Sequence, residues 1–200
     1  QLPYPDKEKD LETYLSVTYS MPMWIVKLWL EQLGKETTEE LLKGLLAEHP
    51  VTIRLRKDKL EEIEKALQSQ GGTIEKQSYL PYAYRIAKTD DMSQLPGYEE
   101  GAFVIQDVSS MLAIEALGIK QNMKILDICA APGGKSMLAA DKLAGTGEVE
   151  ARDISEYKVA LMQENFDRCG LQNVKAVCKD ATKLDENWIG QADIVIADVP

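Results

Sequence analysis

The run Asp127-Ile128-Cys129-Ala130-Ala131-Pro132-Gly133-Gly134-Lys135-Ser136 holds the residues of this chain best suited to chemistry. Apolar Ile125, Leu126 and Ile128 surround a carboxylate, and two glycines then lead into a helical pattern. Glycines let the backbone approach a ligand closely, and the first turn of a helix offers unpaired N–H groups to an anion. Such spacing builds a small-molecule cofactor site. Three further carboxylates, Asp153, Asp180 and Asp198, fall at or just after the ends of other apolar runs. One acid at a strand end commonly caps a helix, whereas four in the same register describe a crevice that holds hydroxyls and amines. Asp153, on the second strand, stands where a sheet nucleotide site puts the acid that accepts hydrogen bonds from both ribose hydroxyls, and Asp180 then falls near the base.

Two cofactor classes compete for the loop. Gly134-Lys135-Ser136 ends a near match to the phosphate-binding pattern G-x-x-x-x-G-K-[ST], and Asp193 to Asp198 resembles the strand whose aspartate assists Mg²⁺, so an NTPase is a rival. Against it, Cys129 stands at the first glycine position and Pro132 removes an N–H from a loop that would have to donate several to a triphosphate. Adenosylmethionine has only one carboxylate to cradle. The dinucleotide pattern G-x-G-x-x-G is absent from the sequence. Asp198-Val199-Pro200 also suits a methyltransferase, in which an acid followed by proline at the fourth strand faces the base to be methylated.

The elements that carry these residues alternate. Strands are expected at 124–129, 149–154, 174–178 and 193–197, with helices running to Ala144 and to Cys169 between them. Such alternation means a parallel right-handed βαβ sheet with ligands at the carboxyl ends of its strands. Before it, Gln106 to Ser110 leads into a helix closed by Gly118, and a polar loop from Asp90 to Gly101 marks a boundary. Upstream, Val51, Ile53 and Leu55 alternate with Thr52, Arg54 and Arg56 as a half-buried strand. Asp58 is expected to cap a helix that Gly71-Gly72 ends, and strands around Ile74 and Tyr82–Ile86 complete a small α/β unit. Tyr79, Tyr82 and Tyr84 read as cross-strand packing, with base stacking as the alternative. Ser20 and Pro22 start a helix with Trp24 and Leu28 on one face and Gly34 as its stop. Thr37 and Glu40 have capping-box spacing before Leu41, Leu42, Leu45 and Leu46, and Trp24 and Trp29 are expected as core anchors.

The domain reading is therefore 1–50 as linker and helical segment, 51–95 as the small α/β subdomain and 96–200 as the cofactor-binding domain. At 44% apolar and 28% charged residues the chain reads as an ordinary globular protein, without a run of the roughly 20 apolar residues a membrane span needs. It begins with Gln1, shows no secretory signal, and reads as a cytoplasmic segment of a longer protein that starts in a linker. Cys129, Cys169 and Cys178 show no C-x-x-C spacing, which argues against disulfides and zinc, and no metal is expected. Cys169 and Cys178 are expected as core thiols. His49, the only histidine, sits before Pro50 at an expected helix end and is read as dipole-facing or solvated rather than catalytic. A net charge of −10 argues by itself against a nucleic-acid partner, although Arg54, Arg56, Lys57 and Lys59 form either a local basic strip or a solvated turn.

The loop sequence Asp127 to Ser136 resembles motif I of the NOL1/NOP2/Sun family of RNA (cytosine-5) methyltransferases. Leu15 to Pro22, Trp24, the Val51–Arg56 strand and Gln106 to Ser110 are similar to its bacterial Sun (Fmu) branch, so the resemblance covers nearly the whole chain. It implies a Rossmann-like class I methyltransferase half-sheet preceded by a helical segment and a small RNA-recognition-like α/β subdomain facing RNA. It implies S-adenosyl-L-methionine as cofactor and cytosine C5 of 16S ribosomal RNA as acceptor, and it leaves oligomeric state open. The cofactor positions it carries over are Cys129, Ala130, Ala131, Pro132, Gly133, Gly134, Lys135, Asp153, Asp180 and Asp198, with Asp198 also beside the target base. The family's thiolate adds to C6 of the cytosine so that C5 takes the methyl. Its nucleophilic cysteine is expected after Pro200, none of the three cysteines replaces it, and the alternative reading is a fragment that binds cofactor without turnover.

Overall fold

The computed structural model describes residues 4–47, 50–89 and 91–199, so His49 and Pro200 lie outside the described residues. Two compact units divide the chain at His49/Pro50.

In the first unit, α1 (Leu11–Thr18) starts at Asp10, whose carboxylate accepts from the Thr13 N–H at 3.0 Å. The long α2 (Met23–Leu46) is interrupted at Gly34, which takes φ 77° and ψ 173° where a helix stop was expected. Leu15, Val26 and Leu42 form the core, with Trp29 and Leu30 packed against them. Trp24 is not the expected core anchor, since it is 67% exposed. The reason is helical phase: Val26 lies two residues on, on the opposite face, and its neighbours at three and four residues are Trp29 and Leu30. The same alternation of faces leaves Leu41 and Leu45 exposed while Thr38 and Leu42 are buried, and Leu46, one turn on from Leu42, is exposed as the last residue of the helix. Thr37 and Glu40 lie inside the continuing helix and do not form a capping box there.

The second unit begins with β1 (Val51–Leu55), α3 (Leu60–Ser69), β2 (Thr73–Lys76), β3 (Ala83–Ala87) and β4 (Phe103–Ile105). The four strands form an antiparallel sheet in the order β2-β3-β1-β4. The path is β-α-β-β-α-β with the second helix reduced to the 3₁₀ turn Met92–Gln94. The Ile53, Tyr84, Ile86 and Phe103 face packs on Ile63 and Leu67 of α3. Ala83 and Val104, from the other face, enter the large core that includes Met111, Ala130 and Met137. This sheet therefore draws a strand from beyond residue 95 and shares a core with the elements downstream of it. Lys59, not Asp58, holds the N-cap position of α3, and no side chain bonds there. Tyr79 precedes β3 and is exposed and Tyr82 donates to Glu115, whereas Tyr84 is buried opposite Ile53 of β1, so of the three tyrosines Tyr84 packs across strands as expected and they form no stacking row.

The remaining elements are α4 (Val108–Glu115), β5 (Lys124–Asp127), α5 (Gly134–Lys142), β6 (Glu148–Asp153), α6 (Glu156–Arg168), β7 (Val174–Cys178) and β8 (Ile194–Ile196). The sheet is wholly parallel in the order β7-β6-β5-β8, the expected Rossmann-like half-sheet. Ile125, Val149, Ala151, Val174 and Ile196 pack with Met137, Met162 and Phe166 of α5 and α6 in one core. The alternate residues of β6 are Glu150 and Arg152, so the other face is ionic: Arg152 bonds Glu150 and Asp185, and Lys175 bonds Glu150 at 2.9 Å. Cys169 is a core thiol as expected. Cys178 is exposed at the end of edge strand β7, where only one neighbouring strand shelters it.

Arg54 and Arg56 are neither solvated nor an exposed basic strip. Arg54 on β1 is buried, the side chain of Arg56 just after it is nearly so, and both bond Asp141 of α5. Gly101 lets the same region close up, because at φ 58° a Cβ there would lie 2.5 Å from Cys169 Cα.

Candidate functional site

Strands β5, β6 and β7 follow one another outward, and the chain then returns to the far side of β5 to form β8. This reversal is a topological switch point, and ligands of open α/β sheets bind outside the carboxyl ends of the strands there. The sequence puts an acid at each end: Asp127 on β5, Asp153 on β6, Asp180 after β7 and Asp198 after β8.

Asp127 is buried and accepts from Ser136 Oγ at 2.7 Å through Oδ2, while Oδ1 has no partner among the described residues. Burial pushes its carboxyl up to about 6, against the opposing pull of the Ser136 hydroxyl, the Cys129 N–H and the Lys135 charge, with the Asp198 charge adding to the rise. A folded pKa above the unfolded value means that the native state binds more protons between the two. This group's contribution to stability is thus full below about pH 4 and declines as pH rises through about 6. Asp127→Asn is expected to flatten the pH 4–6 segment of the stability curve and to raise stability at pH 7.5 by roughly 1–3 kcal/mol. Denaturant midpoints measured across that range check it, and an unchanged slope would contradict it.

The loop is held at both ends. Ala130 N donates to Arg152 O at 2.7 Å, tying it to β6, and Met137 N donates to Gly133 O at 2.9 Å as α5 begins. Gly133 takes φ 100°, and a Cβ there would meet Phe166 Cε1 at 3.0 Å, so only glycine lets the loop lie against α6. The Ala131–Pro132 peptide bond is cis. Asp153 is buried, accepts from Ser155 N at 3.1 Å through Oδ1 and has Lys158 Nζ 3.9 Å from Oδ2. Asp180 accepts from Thr182 N at 2.9 Å and Thr182 Oγ1 at 2.7 Å, bonds that hold its carboxyl below the usual range. Asp198 is exposed and pairs with Lys135 Nζ at 2.5 Å.

A cleft of about 680 Å³ at this edge brings together Cys129, Ala131, Asp153, Asp180 and Asp198. A second, of about 230 Å³, adjoins it through Cys129, Ala131 and Asp198 and takes in Ala130, Pro132, Gly134 and Lys135. Gly133 lines neither and acts by packing. Ile154 and Thr182, which sequence reasoning passed over, also line the larger cleft; their adjacency to Asp153 and Asp180 was the available signal. Gln106, a wall of the smaller cleft, reads in the sequence as the lead into a helix and as part of the family resemblance, not as a site residue. Among the described residues no group of three or more His, Cys, Asp and Glu could hold a metal ion, and no helix is long and apolar enough to cross a membrane.

Comparison with known proteins fits this geometry. Residues 114–200 match the family described as 16S rRNA methyltransferase RsmB/F. The probable ribosomal RNA small subunit methyltransferase B of Bacillus subtilis is 32% identical over 202 residues, covering 100% of this chain and 45% of that protein. The tRNA (cytosine(72)-C(5))-methyltransferase of Pyrococcus horikoshii is 39% identical over 113 residues, covering 56% of this chain and 29% of that protein. The crystal structure of NSun6 from Pyrococcus horikoshii with SFG superposes with a TM-score of 0.72 at 22% identity, covering 87% of this chain and 69% of that one, a likeness of fold. The chain spans less than half the length of the two curated relatives named.

Proposed function

The chain belongs to the RsmB/F methyltransferase family, and from that premise we propose that it serves S-adenosyl-L-methionine-dependent methylation of RNA. The observation that carries this reading is the convergence of the glycine loop with Asp153, Asp180 and Asp198 on one cleft at the switch point. The residues present fit the group: a near-buried carboxylate for ribose hydroxyls, a glycine-shaped loop and an unpartnered amide donor at Gln106. SFG, bound in the Pyrococcus structure, is an analogue of the same cofactor.

In this reading Asp153 accepts from both ribose hydroxyls, and Asp180 lies beside the adenine. The backbone from Cys129 to Lys135 wraps the methionyl end, with Gly134 and Lys135 at the helix start. The cofactor supplies a methyl group on a sulfonium, which is electrophilic. Asp198, held by Lys135, pairs with the polarised edge of the target cytosine. A cysteine thiolate would add to C6 of that cytosine, C5 would take the methyl as its bond to the sulfonium breaks and S-adenosylhomocysteine leaves, and removal of the C5 proton by a base would expel the thiolate. None of the three cysteines described is assigned the thiolate in this reading: Cys129 lies in the cofactor loop, Cys169 is buried in the core and Cys178 donates to Ile154 O at 3.5 Å. The acceptor is 16S ribosomal RNA in the cytoplasm, reached through the loops and edges of the small subdomain, because α3 packs on one face of its sheet and Ala83 and Val104 of the other face are buried in the larger core.

A P-loop NTPase fits less well. Asp153, Asp180 and Asp198 in the cleft outnumber Lys158 and Lys179, a balance that suits hydroxyls and a sulfonium and repels a triphosphate. The full-length protein, incubated with the cofactor and unmethylated small-subunit RNA, is expected to yield 5-methylcytosine in nucleoside digests. Methyl groups recovered only on another base, or only on transfer RNA, would overturn the cytosine or the ribosomal part of the reading.

A further inference from the structure

Gln106 follows β4 and is 6% exposed, yet its Nε2 has no hydrogen-bond partner among the described residues. Its orientation is fixed by chemistry. Arg54 Nε donates to Gln106 Oε1 at 2.9 Å, and a guanidinium has donors only, so the amide oxygen must face Arg54 and the NH₂ must face away. Arg54 is itself buried and held by Asp141, which makes this orientation rigid. The amide lies against the cofactor loop: a Cβ placed on Gly134 would be 3.6 Å from Gln106 Cδ and 3.7 Å from Nε2. Gln106 lines the cleft of about 230 Å³ together with Cys129, Gly134, Lys135 and Asp198.

Three donor types thus meet at one place: the Gln106 amide, the first-turn N–H groups of α5, which have no intrahelical partner, and the Lys135 ammonium. An anionic, planar acceptor such as a carboxylate satisfies all three. We propose that Gln106 binds the α-carboxylate of the cofactor's methionyl end through Nε2, with Arg54 as the residue that positions it. The proposal rests on the methyltransferase reading and adds a ligand contact from outside the glycine loop.

Two ligands separate this contact from general binding: S-adenosylhomocysteine carries the carboxylate, and 5′-methylthioadenosine lacks the whole amino-acid end. Gln106→Glu keeps the shape and the acceptor that Arg54 uses and puts an oxygen where the NH₂ was. In calorimetric titrations it is expected to weaken S-adenosylhomocysteine at least about tenfold while leaving 5′-methylthioadenosine within about twofold. An unfolding midpoint of Gln106→Glu close to that of the wild type guards against misfolding, and Gln106→Met, which removes the donor without adding charge but also the oxygen that Arg54 uses, should show the same split. An equal loss for both ligands would make Gln106 a structural support, and no loss for either would give its NH₂ to the RNA base; each result overturns the proposal. If the wild-type protein bound neither ligand, the proposed function itself would fall, and this contact with it.

Discussion

Replacing Asp141 by alanine is expected to destabilise the second unit by about 3–5 kcal/mol, the cost of leaving a buried charge without its counter-ion. Asp141 serves two guanidiniums. Arg56 grips it twice, Nε to Oδ2 and Nη2 to Oδ1, both at 2.8 Å, and Arg54 Nη1 reaches Oδ2 at 2.5 Å. The Arg54 and Arg56 side chains are 3% and 9% exposed, so neither can turn to water when the carboxylate is lost. Burial pushes the Asp141 carboxyl up, but the Arg56 bond and the Arg54 charge outweigh it and hold the group below its usual range. A depressed folded pKa means the stabilisation is present above the unfolded value, about 3.9, and is lost as pH falls below it. Thermal unfolding should shift down by roughly 10 °C at neutral pH. A loss under about 1 kcal/mol, the range of a surface ion pair, would contradict the buried geometry. The same carboxylate links β1 to α5 and, through Arg54, steadies Gln106 against the cofactor loop.

Asp153→Ala is expected to weaken S-adenosylhomocysteine by about 100-fold or more. A charge-assisted hydrogen bond is worth about 1.5–3 kcal/mol, and two ribose hydroxyls share this carboxylate. The change should cost little stability, because the described fold asks of that side chain only the Ser155 N–H bond and a long approach by Lys158. Asp153→Asn, which keeps one acceptor and loses the charge, should fall between the two. Calorimetry on the three proteins checks the order. Unchanged affinity in Asp153→Ala would remove the ribose role from this residue.

Much of the second unit was legible in the sequence because its signals are local. Apolar runs ending in Asp127, Asp153 and Cys178, separated by helical periods, specify a parallel sheet, and the strand-end register of the acids predicts one ligand edge. Strand order is not local, yet the return of β8 to the side of β5 is what joins Asp198 to the loop. Other readings missed for reasons of phase and partnership. Trp24 and Leu28 do share a helix face, but nothing in a single helix says which face is covered, and Val26, Trp29 and Leu30 face the core instead. Arg54 and Arg56 look like surface cations until α5 brings Asp141 to them across 87 and 85 residues of sequence. β4, three residues long, is too short for a periodic signal and exists because β1 offers it an edge. Gln106 belongs with it: the unpaired NH₂ that marks it is visible only once Arg54 has claimed the oxygen.

The central claim is that the cleft closed by the Asp127–Ser136 loop holds adenosylmethionine and not a nucleoside triphosphate. Calorimetric titration of the protein with S-adenosylhomocysteine, and separately with ATP and Mg²⁺, tests it most directly. Saturable binding heat with the first and none with the second is the predicted result. Heat with ATP and Mg²⁺ alone would contradict it.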